Sequence, residues 1–123
     1  MAGGGLLHFR AVVNEGRVSV KITCVGGGPS GLYFAILAKL RDRRHDVTVI
    51  ERNKPGTTHG WGVSWSDELL DELYAGDPVT GRRLRIASRE WNGQRVCIDD
   101  HPVAHIGGRY GYSINRAVMQ DIF

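Results

Sequence analysis

The chain has 123 residues, enough for one small domain, and its 41% hydrophobic and 24% charged content is that of an ordinary globular protein. No apolar run approaches the roughly 20 residues of a bilayer-spanning helix, and residues 1–17 lack the apolar centre of a signal peptide, so no membrane association and a cytoplasmic location are expected. The net charge of +3 rests on arginine clusters at Arg41-Asp42-Arg43-Arg44 and Arg82-Arg83-Leu84-Arg85; neither is interleaved with stacking aromatics, which argues against a nucleic-acid partner.

In chain order, residues 1–17 are glycine-rich at the start and aperiodic. They are expected to be a disordered or wrongly assigned leader, with the domain proper spanning 18–123. The stretch Val20-Lys21-Ile22-Thr23-Cys24-Val25 then reads as a buried strand running into Gly26-Gly27-Gly28-Pro29-Ser30-Gly31. The glycines fit G-x-G-x-x-G at Gly26, Gly28 and Gly31. Gly26 turns the chain sharply off the strand, Gly28 lets a pyrophosphate approach the backbone, and Gly31 lets the helix pack on the strand. Pro29 suits the first helical position, and the helix start, with Ser30, offers N–H groups and a positive dipole end to phosphate. The helix, ending near Arg41, carries Leu32, Ala35, Ile36 and Leu40 on one face. A second strand, Asp46-Val47-Thr48-Val49-Ile50, closes on Glu51, 20 residues after Gly31, where a dinucleotide fold places a carboxylate for the adenosine ribose. Two adjacent parallel strands joined by a right-handed crossover helix are expected.

Residues 54–65 read as a glycine- and aromatic-containing loop. Ser66 is the expected N-cap of a helix that opens on Asp67 and Glu68 and stops at Gly76. The second arginine cluster is expected in an exposed turn after Pro78 and Gly81. Asn92-Gly93 is a two-residue hairpin-turn signal, with Val96 and Ile98 on the outgoing strand. Tyr112-Ser113-Ile114-Asn115-Arg116 is expected to open a last helix carrying Val118, Met119 and Ile122. The cysteines, Cys24 and Cys97, form no C-x-x-C and no metal spacing, and His101 and His105 lie in a Pro- and Gly-containing stretch unlike a helix. No metal site and no catalytic residue are expected. The predicted fold class is α/β: the N-terminal part of a Rossmann-like FAD/NAD(P)-binding domain, βαβ with GxGxxG, plus a hairpin, and incomplete. A parallel sheet of two strands and an apolar-faced helix at the end both point to a piece of a longer protein.

The run Lys21 to Ala35 resembles the start of the FAD-dependent aromatic hydroxylases of the para-hydroxybenzoate hydroxylase type. His45 to Asn53, Gly60-Trp61-Gly62-Val63 and Ser66-Asp67 resemble the branch containing salicylyl-CoA 5-hydroxylase and 2-aminobenzoyl-CoA monooxygenase. The likeness spans residues 18–123 and is weaker between 79 and 111. It implies FAD as cofactor, NAD(P)H as electron donor of the parent enzyme, and hydroxylation of an aromatic or aryl-CoA substrate with O2. Residue by residue, it implies that Gly26, Gly28, Pro29, Ser30 and Gly31 hold the FAD pyrophosphate. Glu51 then binds the AMP ribose and Arg52 flanks the adenine; Gly62 passes close to the flavin, and Arg116, at a helix start, contacts FAD. A solvated first-turn arginine is an equal reading of Arg116. The family's Gly-Asp motif and its substrate-pocket sheet have no counterpart within 123 residues, which implies that this chain alone is inactive. Two other classes stay open. One is a non-catalytic nucleotide-binding module or a subunit completed by another chain. The other is half of an NAD-dependent dehydrogenase, disfavoured by Gly60-Trp61-Gly62-Val63 and Arg116.

Overall fold

The computed structural model describes residues 12–14, 17–54 and 56–123, so most of the expected leader lies outside the described residues. The chain forms two compact units, one ending at Asn53 and one running from Lys54 to Phe123. Among the described residues no helix is long and apolar enough to cross a membrane.

In the first unit, β1 (Val12–Asn14) pairs antiparallel with β2 (Arg17–Ser19), Val13 opposite Val18. β3 (Lys21–Val25) pairs in parallel with β4 (Asp46–Ile50), from Lys21 opposite Asp46 to Val25 opposite Ile50. The helix α1 (Pro29–Arg41) connects them. The parallel pair is as expected, but its first strand begins at Lys21, and residues 17–19 form β2, paired with β1. The turn into β4 is fixed by Lys39, whose Nζ donates to the carbonyls of Arg43 and His45, each at 2.7 Å. Ile22, Cys24, Val47 and Val49 form one half-buried face, while the opposite face is open, with Val25 88% exposed. The run of β3 reads from its sequence as a buried strand; here it is at most half-buried, because one helix against a two-stranded sheet covers one face at most.

The second unit is a three-stranded antiparallel sheet in the order β5 (Gly62–Trp65), β7 (His101–Asn115), β6 (Arg89–Ile98), with helices α2 (Asp67–Gly76), α3 (Pro78–Ala87) and α4 (Arg116–Ile122). Trp65, Leu70, Leu84, Tyr112, Ile114 and Met119 form its core, with Leu70, Leu84 and Met119 fully buried. Fully burying one such side chain contributes about 1.5–3 kcal/mol. The indole N–H of Trp65 donates to Ser88 Oγ at 3.2 Å. The Arg85 guanidinium lies over the Tyr112 ring at 5.4 Å and pairs with Asp71 at 2.8 Å and Asp67 at 3.3 Å.

Ser66 caps α2 as expected, its hydroxyl accepting from Leu69 N–H at 3.4 Å, and the helix ends at Gly76. Four local expectations are corrected. Residues 62–65, expected in a loop, form β5, because each pairs with β7. The second arginine cluster is helical, not a turn. Asp77 closes α2 and caps α3, accepting from the N–H groups of Val79 (3.1 Å) and Thr80 (3.3 Å), and Pro78 occupies the first helical position. Gly81, which suggested the turn, serves helix packing: a Cβ there would lie 2.4 Å from Tyr74 Cα.

Asn92-Gly93 does not turn the chain. It lies inside β6, where the ladder is irregular between Trp91 and Gly93. The turn is Asp99-Asp100, both with positive φ (48° and 63°), between the paired residues Ile98 and His101. Aspartate tolerates the left-handed region, as a two-residue hairpin turn of this kind requires. Finally, residues 112–115 are strand rather than helix. Tyr112 and Ile114 point into the core from β7, and α4 starts at Arg116 behind an Asn115 cap that accepts from Ala117 N–H at 2.9 Å.

Candidate functional site

The glycine turn joins β3 to α1. Gly26 has φ +110° and its N–H donates to Ile50 O at 2.8 Å, fastening the turn to the end of β4. A non-glycine residue is strained in that backbone conformation. At Gly31 a Cβ would fall 2.2 Å from the Gly26 carbonyl oxygen. The helix thus packs on the turn only because position 31 has no side chain. Gly28 is the N-cap of α1, and no side chain caps it. A Cβ at Gly28 would meet nothing within 4 Å, so the backbone there is open to a ligand. Pro29 follows at the first helical position and Ser30 is exposed beside it. N–H groups of the first helical turn have no intrahelical acceptors, and together with the dipole they suit an anion.

Glu51 stands at the same mouth. Its Oε2 accepts from Gly27 N–H at 2.7 Å; its Oε1 accepts from the backbone N–H of Asn53 at 2.8 Å and from Asn53 Nδ2 at 2.7 Å. The N–H groups of Asn53 and then Gly27 hold its carboxyl below the usual carboxylate range. The carboxylate was expected to be free for two ribose hydroxyls. It is instead already engaged by Gly27 and Asn53, with the Arg52 backbone N–H adding to them. Gly27 and Asn53 are the site residues that sequence reading passed over. Gly27 is the buried member of the glycine turn, and it lies at an x position of the motif. Asn53, two residues past the acid, suits a local side-chain bond of the kind asparagine makes in turns. Arg52 is exposed next to Glu51.

Gly62 and Arg116 lie in the second unit. Gly62 pairs with Asn115, the residue before Arg116, and a Cβ at position 62 would lie 2.8 Å from Ile114 O. Its lack of a side chain therefore has a strand-packing reason apart from any ligand. Arg116 opens α4, its N–H donates to Trp61 O at 3.3 Å, and its guanidinium lies 3.6 Å from where a Gly60 Cβ would stand. Within the first unit the structure gathers Gly26, Gly28, Pro29, Ser30, Gly31 and Glu51 at one mouth; Gly62 and Arg116 belong to the second unit.

Residues 24–71 match the family of NAD(P)-binding Rossmann-like domains. Over 77 residues the chain is 44% identical to salicyloyl-CoA 5-hydroxylase of a Streptomyces species, covering 63% of this chain and 15% of that protein. Over 82 residues it is 28% identical to 3-hydroxy-4-methyl-anthranilyl-(aryl-carrier protein) 5-monooxygenase of Streptosporangium sibiricum, covering 67% and 23%. In sequence the chain is thus similar to part of each of two aromatic-substrate hydroxylating enzymes. It spans less than a quarter of the length of these two hydroxylase relatives. Among solved hydroxylase structures, it is similar to 2,6-dihydroxypyridine-3-hydroxylase from Arthrobacter nicotinovorans, with a TM-score of 0.60 and 25% identity over 83% of this chain and 25% of that one. CtdE in complex with FAD shares the fold, with a TM-score of 0.62 and 24% identity over 85% of this chain and 26% of that one.

Proposed function

We propose that residues 18–123 are the adenine-side, FAD-binding portion of a flavin-dependent monooxygenase. The observation that carries this reading is the mouth of the β3–α1 turn. Open backbone at Gly28, an uncapped helix start and a carboxylate held ionised by Gly27 and Asn53 stand together there. Those groups fit a nucleotide pyrophosphate next to a ribose. Gly26, Gly28, Pro29, Ser30 and Gly31 take the pyrophosphate, Glu51 takes a ribose hydroxyl, and Arg52 flanks the adenine. The family resemblance adds Gly62 and Arg116 as further cofactor contacts. FAD, when bound, supplies the redox chemistry of hydroxylation with O2 and an NAD(P)H donor. This chain's residues bind and orient its AMP half. Both relatives' names carry an aromatic acyl group on a carrier, and the more similar of the two names CoA, which supports an aryl-CoA thioester as substrate of the whole enzyme; a cytoplasmic location suits that chemistry.

The test is a titration of the protein with FAD, followed by flavin fluorescence, beside one with NAD. Binding of FAD in preference to NAD is expected. Glu51→Ala should weaken it about tenfold, the loss of roughly one charge-assisted hydrogen bond. Preference for NAD, or an unchanged FAD affinity in Glu51→Ala, overturns the assignment.

A further inference from the structure

The β6–β7 ribbon carries a concavity of about 510 Å³ lined by Asn92, Gly93, Arg95 and His105. Arg95 and His105 are directly opposite across the strands, so their side chains rise from the same face. The next pair on that face is Gly93 opposite Gly107. Neither strand has a side chain there, so bare backbone lies beside the guanidinium and the imidazole. A Cβ at Gly93 would stand 3.3 Å from His105 Nε2 and 3.2 Å from Ile106 O, so bulk at position 93 crowds the gap. Beyond the glycine pair the ladder is irregular. β6 advances two residues, from Trp91 to Gly93, while β7 advances four, from Gly111 to Gly107.

Glycines inside strands and broken ladders weaken a sheet, and they coincide here with a cluster of hydrogen-bond donors. The guanidinium brings five N–H donors in a fork suited to phosphate, and the imidazole and the Asn92 amide add more. No carboxylate is among the described residues lining the concavity. An opening with donors, an accessible backbone floor and no acid is complementary to a phosphoryl group.

We propose that this concavity binds a phosphate of the CoA moiety of the substrate, with Arg95 and His105 as its principal contacts. The inference rests on the reading of the substrate as an aryl-CoA thioester. CoA, dephospho-CoA, FAD and inorganic phosphate are titrated separately at constant ionic strength. The imidazole C2–H proton resonances are followed by NMR, with His105 identified by its loss in His105→Gln. CoA should shift the His105 signal, and Arg95→Gln should weaken CoA binding about tenfold, as removal of a charge-assisted contact does. Both side chains are exposed, and circular dichroism checks that the variants stay folded. FAD affinity should be the same in Arg95→Gln as in the parent chain. A His105 signal that CoA does not move, or CoA affinity unchanged in Arg95→Gln, overturns the inference while leaving the FAD reading standing. Inorganic phosphate or FAD binding there as tightly as CoA also overturns it, by showing an unselective anion patch. Loss of FAD binding with CoA binding intact refutes the FAD reading instead. Weaker binding of dephospho-CoA than of CoA assigns the 3′-phosphate; equal binding assigns the pyrophosphate.

Discussion

Gly31 sets the sharpest steric limit at the glycine turn. A single methyl group there collides with the Gly26 carbonyl at 2.2 Å, and that carbonyl cannot yield without moving a turn tied to Ile50. Gly31→Ala is expected to destabilise the first unit by about 1–3 kcal/mol, the range for overpacking, and to abolish FAD binding. Thermal melting with and without FAD measures both. Gly28→Ala should behave differently, because a Cβ there has open space. It should leave the melting temperature nearly unchanged while weakening FAD binding. Asp77 offers a pH test. The Thr80 hydroxyl is the largest cause holding its carboxyl below the ordinary range, and the N–H groups of Val79 and Thr80 lower it further, against the opposing effect of burial. A carboxyl depressed in the folded state stabilises above its unfolded pKa of about 3.9, and the stabilisation disappears as pH falls through the lower folded value. Asp77→Asn keeps an N-cap but should flatten this acid limb of the stability profile. Asp77→Ala should cost about 1 kcal/mol at neutral pH. Urea midpoints across acidic pH check both variants.

At the scale of elements, the β6–β7 hairpin shows why a strong local signal fails. Asn92-Gly93 has the turn chemistry, but turning there would pull Gln94 to Ile98 off the long partner strand that pairs with them. The ladder continues instead, and Asp99-Asp100 accepts positive φ at some cost. Asp100→Gly is therefore expected to stabilise the hairpin by up to about 1 kcal/mol, the steric penalty of left-handed backbone for an L residue, measured as a higher urea midpoint. The helices α2 and α3 make a related point. Pro78 and Gly81 look like breakers when read in order. In the fold Pro78 starts the second helix, and Gly81 lets it press against the Tyr74 backbone.

At the scale of the molecule, the buried apolar side chains among the described residues all belong to the second unit, whereas α1 buries none. Burial is the main favourable contribution to folding, so the first unit should open more readily. Hydrogen exchange is expected to show weaker protection in β3, α1 and β4 than in β5, β7 and the core of α2 and α3. FAD at a hundred times its Kd should raise protection in the first unit by about 2.7 kcal/mol. Equal protection of both units without ligand would contradict this ordering.

The β3–α1–β4 element and the mouth at Gly26 to Gly31 with Glu51 were legible in the amino-acid order. They depend on short-range requirements: a strand period, an uncapped helix start, a positive φ at Gly26 and a Cβ collision avoided at Gly31. The Ser66 cap was legible for the same reason. The engagement of Glu51 by Gly27 and Asn53 was not, because the Gly27 bond joins residues 24 apart in sequence. Nor were the strand nature of residues 62–65 and 112–115, the helix over the second arginine cluster and the true position of the hairpin turn. Each of these is decided by a contact outside the local stretch: the pairing of β5 with residues 112–115 for both strand segments, the packing of Gly81 on Tyr74 for the helix, and the whole β6–β7 ladder for Asp99-Asp100. Local propensities differ by about 1 kcal/mol or less per residue, so a long ladder or a close helix contact overrides them.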